Sequence, residues 1–285
     1  MQNKNNHVII LKQCEKIFRE ENNMIDLNDD DGDLPQTPEL LPNPDLRQNP
    51  VEDWDGRNGE PVPNLERDTA LERVIMSNMV KVPENNFYIS QYVVTQNIYK
   101  KVVGENPSYF KDESQCGDTW TGLPVETVNF KSAIEFCNKL SKMCDREPCY
   151  DENGLFDNSK NGFRLPTGTE WNYVANGGAD IPCFKYAGSN NENAVAWYEI
   201  NSQGKTHKVE DPKAGVKIKD VEIFGLSGNV WEWCWQSDNE TKAVCYGGSY
   251  NDSCIRLELG TTFNKQTFEK SYKDKTIGFR ISVNV

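Results

Sequence analysis

Three tryptophans at alternate positions, Trp231, Trp233 and Trp235, constrain this chain more than any other feature. A period of two is that of a β-strand, so the indoles fall on one face and Glu232 and Cys234 on the other. A wall of indoles is first of all core material. The segment continues as QSDNETKAVCYGGSY, and Gly247-Gly248 permits a bulge or a close backbone approach beside that wall. Two readings compete for Cys234 and Cys245. They are either a redox or catalytic thiol site, or packing residues beneath a surface that displays a ligand-binding face.

Charge narrows the partners. The 285 residues carry a formal net charge of −13. Residues 26–68 hold 13 acidic residues against three arginines, a net of −10, so the remainder is close to neutral. No basic face is indicated, and nucleic-acid binding through phosphates is not expected. The same stretch carries seven of the 14 prolines and reads as an acidic, Pro-rich linker or strap. An EF-hand loop fails there, because Leu27 and Pro38 would occupy its first and twelfth positions. Residues 1–25 read as a short amphipathic segment whose apolar run, Val8 to Leu11, is too short for a signal peptide. No apolar run approaches the roughly 18 residues of a membrane span. The compartment stays open: unpaired thiols favour a reducing one, whereas a displayed binder suits the cell surface.

Nine cysteines suit neither a cytosolic protein of ordinary composition nor an even disulfide framework. With no C-x-x-C and only His7 and His207, a zinc site is not expected. Cys137 lies on an apolar helical stripe with Ala133, Ile134, Leu140 and Met143. Residues 69–285 read as one domain of short strands, a few helices and polar loops. FYISQYVVTQ alternates as a strand, and a helix follows, capped by Thr95 and closed by Gly104. Thr167 or Thr169 caps another helix running through Ala175, with Glu170 favourably placed in its first turn. Arg280, in the final GFR strand, is expected to be paired internally.

Six stretches then occur in order: FYISQYVVTQNIYKKVVGENPSYF, LPVETVNFKSAIEFCNKLS, GFRLPTGTEWNYVANGG, GLSGNVWEWCW, YGGSY and IGFRISV. Together, over about two hundred residues, they resemble the formylglycine-generating enzyme or sulfatase-modifying factor family. The resemblance implies an α+β, C-type lectin-like fold of that enzyme's type, with a small twisted antiparallel sheet, two main helices and extensive irregular loops. It also implies a chemistry that the residues at its catalytic positions disfavour here. The family's two catalytic cysteines fall at Asp252 and Leu257, neither of which supplies a thiolate for copper or for oxidising a substrate cysteine. Cys254 lies nearby at a shifted position. The iron-dependent, sulfoxide-forming relatives need a histidine cluster that His7 and His207 cannot build.

A non-catalytic branch with the same fold comprises the variable proteins of diversity-generating retroelements, and this chain resembles those too. The resemblance implies a ligand-binding protein without a required cofactor, whose segment 245–283 forms the binding face. Its expected ligand contacts are Trp235, Tyr250, Asn251, Asp252, Leu257, Thr262, Phe263, Phe268 and Tyr272, a mixture of aromatic anchors and adaptable polar groups. The alternative is a copper- and oxygen-dependent enzyme of the formylglycine-generating type. Calcium is the one candidate metal, with Gly228, Val230 and Glu232 matching family ligands and Gly225 replacing a family asparagine. The expected partner is a protein or peptide rather than a sugar, bound by a monomer.

Overall fold

Short polar side chains set the helix starts. In the computed structural model, α1 (Thr69–Ser77) begins where the Asp68 carboxylate accepts the Leu71 N–H. Helix α2 (Gln96–Val103) starts at Thr95, whose hydroxyl accepts the Ile98 N–H, and stops at Gly104, which takes φ +99°. Helix α3 (Phe130–Met143) buries Ala133, Ile134, Cys137 and Leu140 and leaves Met143 partly covered. At α4 (Gly168–Ala175) the choice between caps is decided for Thr167, which shares a capping box with Glu170. A single turn, α5 (Glu192–Val195), follows.

The structure describes residues 68–82, 85–111, 120–178, 184–209, 213–236 and 241–284, all inside the unit Leu65–Val285. The expected amphipathic segment at 1–25 and the acidic linker at 26–68, apart from Asp68, lie outside the described residues. Among the described residues, no helix is long and apolar enough to cross a membrane.

The described strands form two four-stranded sheets and a two-stranded hairpin rather than one sheet. Strands β1 (Met79–Val82), β2 (Phe87–Ser90) and β3 (Phe163–Arg164) join β10 (Ser282–Asn284) in the antiparallel order β1-β2-β10-β3. Strands β4 (Val216–Ile218) and β5 (Val221–Ile223) make a separate hairpin. The second sheet, β8-β7-β6-β9, contains β6 (Trp231–Cys234), β7 (Lys242–Tyr246), β8 (Lys265–Glu269) and β9 (Ile277–Gly278). Its β6–β9 pair is parallel, Trp231 facing Ile277. The final motif IGFRISV is therefore not one strand. It leaves the second sheet at Gly278 and enters the first at Ser282, carrying Arg280 between them.

Strand β6 is buried on both faces. Trp231 and Trp233 pack into a core with Phe130, Phe279 and Ile281, while Cys234 joins Trp171, Val174 and Leu226 on the other side. Burial pushes the thiols of Cys137, Cys234 and Cys245 well above their ordinary range. A neutral, fully buried thiol is a small hydrophobe and not a nucleophile. Packing is thus the role of the cysteines in the tryptophan segment.

Candidate ligand-binding face

The face is built on the two glycines after β7. Gly247 and Gly248 take φ +102° and +76°, and a Cβ at Gly248 would lie 2.7 Å from Leu257 Cδ1. Only glycine satisfies both the left-handed backbone and that approach. The chain then turns back over Leu257, which is buried among Tyr186, Val195 and Tyr198. Leu257 sits in a short 3-10 helix, Cys254–Leu257, and a second one follows at Thr262–Asn264.

Asp252 fixes this turn. Its Oδ2 accepts the Trp231 indole N–H at 2.7 Å, the Ser249 N–H at 3.0 Å and the Ser249 hydroxyl. Its Oδ1 pairs with Arg256 Nε at 3.4 Å. Its carbonyl accepts the Glu199 N–H, and the Tyr250 carbonyl accepts the Ser202 hydroxyl, so loop Tyr198–Ser202 is tied alongside. On the other flank Asn264 Nδ2 donates to the Arg256 carbonyl at 3.2 Å. The backbone is held from both sides.

What remains outward is a patch of apolar and polar side chains. Ile255 and Phe263 are 50% and 56% exposed, and Ile200, on the tied loop, is 74% exposed. Asn251, Arg256 and Thr262 are exposed beside them. Ile200 and Ile255 carry no signal in the sequence, because loops and 3-10 turns have no hydrophobic period to betray an outward isoleucine.

The expected contacts divide accordingly. Asn251, Thr262 and Phe263 lie on the exposed face. Tyr250 does not: it is buried against Phe110 and Leu123, its ring meeting Phe110 edge-on at 5.4 Å. Leu257 is buried as well, so neither side chain can touch a ligand at this surface. Asp252 is half-buried and committed to its hydrogen bonds. Phe268 and Tyr272 stack on each other at 4.7 Å at β8 and the loop beyond it, with Phe268 also meeting Trp233. Trp235 packs against Phe130, Tyr150 and Phe156 and borders a separate groove.

Of the three expected calcium ligands, Glu232 already has partners of its own. Glu232 Oε2 accepts Trp171 Nε1 at 2.7 Å and Arg280 Nε at 2.6 Å, and Oε1 accepts Arg280 Nη2 at 2.7 Å. The same guanidinium donates to the carbonyls of Ser90 and Phe224. Arg280 thus supplies the cation, and both residues are fully buried. A hard metal ion would have to displace it. Gly225, where the resemblance expected an oxygen ligand, lies with its Cβ direction 3.9 Å from Arg280 Nη2.

A model of the sulfatase-modifying factor enzyme 1-like domain matches residues 64–285. A curated relative from Paenibacillus barcinonensis, named chaperone protein LppX, is 37% identical over 212 residues, spanning 61% of this chain and 73% of its own. Among solved structures, Treponema denticola variable protein 1 is similar with a TM-score of 0.60 and 30% identity, over 70% of this chain and 84% of that one. CarF is similar with a TM-score of 0.55 and 22% identity, over 70% and 86%, and bears on the fold alone.

Proposed function

The chain belongs to the sulfatase-modifying factor enzyme 1-like family, and we propose that it is a ligand-binding, non-catalytic member of the variable-protein type. One observation carries this reading. The two positions where the family resemblance places catalytic cysteines hold a carboxylate tied to Trp231, Ser249 and Arg256, and a leucine buried among tyrosines. Neither group can cycle between thiol and oxidised sulfur. The fixed Asp252 turn instead serves as a mount, presenting Asn251, Ile255, Thr262 and Phe263 from a backbone that does not depend on their identity.

The similarity to a Treponema denticola variable protein supports this role, and a retroelement-diversified face is the finer form of the proposal. A mixed patch of an aromatic, two isoleucines and adaptable polar groups suits a protein or peptide surface. Incubation with copper, oxygen and a cysteine-containing sulfatase peptide tests the reading. No aldehyde product is expected. Aldehyde formation abolished by Cys254→Ser would instead make the chain an enzyme with a displaced thiol.

A further inference from the structure

A second site lies away from that face. A groove of about 810 Å³ opens between α4 and the ends of β6, β7 and β8, a size within the roughly 300–1,000 Å³ of small-molecule sites. Trp235, Tyr246, Phe156 and Tyr173, all half-buried, line it together with Thr169, Asn176 and Gln236. Gly168 shapes the wall, since a Cβ there would meet the Tyr246 ring at 3.0 Å. On its far side the Tyr246 ring stacks on Trp171 at 5.3 Å, which holds it upright.

The one carboxylate lining this groove is already answered from within the chain. Both oxygens of Glu170 bind Arg164 at 2.7 Å, and one also accepts the Thr167 N–H. Lys265 holds its ammonium 5.9 Å from the Tyr246 ring centroid. The start of α4 is no anion cradle either: the Gly168 N–H donates to the Trp235 carbonyl and the Glu170 N–H to Thr167 Oγ1. One buried acceptor is left over. Asn176 Oδ1 has no hydrogen-bond partner although its Nδ2 donates to the Asn172 carbonyl. A buried carbonyl of this kind calls for an O–H or N–H donor.

We propose that this groove is a calcium-independent binding site for a neutral carbohydrate chain. Pyranose rings offer a face of C–H bonds to aromatic rings, whose electron-rich faces attract them, and hydroxyls on the rim for amides and threonine. Of the two charged residues in the lining, Glu170 is paired, and Lys265 is exposed with only the Tyr246 ring beside it. An extended peptide is offered little to pair with, because the lining comes from several separate stretches of chain and only Lys265 belongs to the edge strand β8. The site is independent of the Asp252 mount and stands or falls without it.

Titration calorimetry of the full chain, in chelator, with cellohexaose, xylohexaose, maltohexaose and chitohexaose tests this. At least one is expected to bind saturably with a Kd of about 1 mM or tighter. Trp235→Ala should weaken it at least about tenfold, or about 1.4 kcal/mol. Thr169→Trp, which blocks the groove from an exposed position of α4, should do the same while melting like the wild type, and Phe263→Ala should change nothing. The proposal is overturned if no hexasaccharide binds or if binding survives Thr169→Trp. Saturable binding of a neutral peptide that Thr169→Trp removes, with no saccharide bound, would also overturn it.

Discussion

Strand β6 and the segment Asn251–Asn264 treat their side chains in opposite ways. In β6 all four residues are buried and the polar atoms are paired inward: Trp231 with Asp252, Glu232 with Arg280 and Trp171, Trp233 with the Val128 carbonyl. In Asn251–Asn264 the anchors Asp252, Leu257 and Asn264 face inward and are braced by Arg256, whereas Asn251, Ile255, Thr262 and Phe263 face water. The first region spends specificity on holding the fold. The second inherits a fixed backbone and leaves its outward positions without structural duty. Surface substitutions away from caps and buried polar groups usually change stability by no more than about 0.5 kcal/mol, so such a face can vary without loss of fold.

The largest effect should come from breaking the first region. Arg280→Leu leaves Glu232 buried without its cation, and a loss of about 3–5 kcal/mol is expected in urea unfolding, as for other broken buried pairs. Adding Glu232→Leu should recover much of that loss. A single variant that unfolds like the wild type would remove the pair from its central place. A middle case is Thr167→Ala, which deletes the half-buried cap of α4 and should cost about 1 kcal/mol by the same measurement. The smallest effect is expected at Tyr250, the residue that moved from face to core. Its hydroxyl is buried without a partner, so Tyr250→Phe should be neutral or stabilising by up to about 1 kcal/mol, whereas a clear loss would reveal a hidden hydrogen bond.

Local chemistry was legible in the sequence, and long-range pairing was not. Thr95, Gly104 and the Thr167–Glu170 box announce their helices because a cap acts within three or four residues. Period two in WEWCW reveals a buried strand, and GFR reveals an internally paired arginine. The partner of Arg280 could not be read, because Glu232 lies 48 positions away and is reached only when the last segment crosses from one sheet to the other. The same limit sent Tyr250 and Leu257 to the surface. Both follow a glycine pair in an irregular loop, where the direction of a side chain is set by what covers it: Phe110 and Leu123 in one case, Tyr186 and Tyr198 in the other. Trp231, Trp233 and Trp235, which the alternation places together, do share a core, but Asp252 closing over the Trp231 indole was invisible without the fold.

The central claim is that a fixed mount carries an independent binding face, and one paired measurement tests it most directly. A photo-crosslinking residue replacing Thr262 captures the partner, and its Kd is then measured for wild type and Ile255→Ala/Phe263→Ala beside their melting temperatures. The account predicts an affinity at least about tenfold weaker, the range of an aromatic hot spot, with both proteins unfolding within about 2 °C of each other. An unchanged Kd, or a loss of affinity that merely tracks a fall in melting temperature, would contradict it.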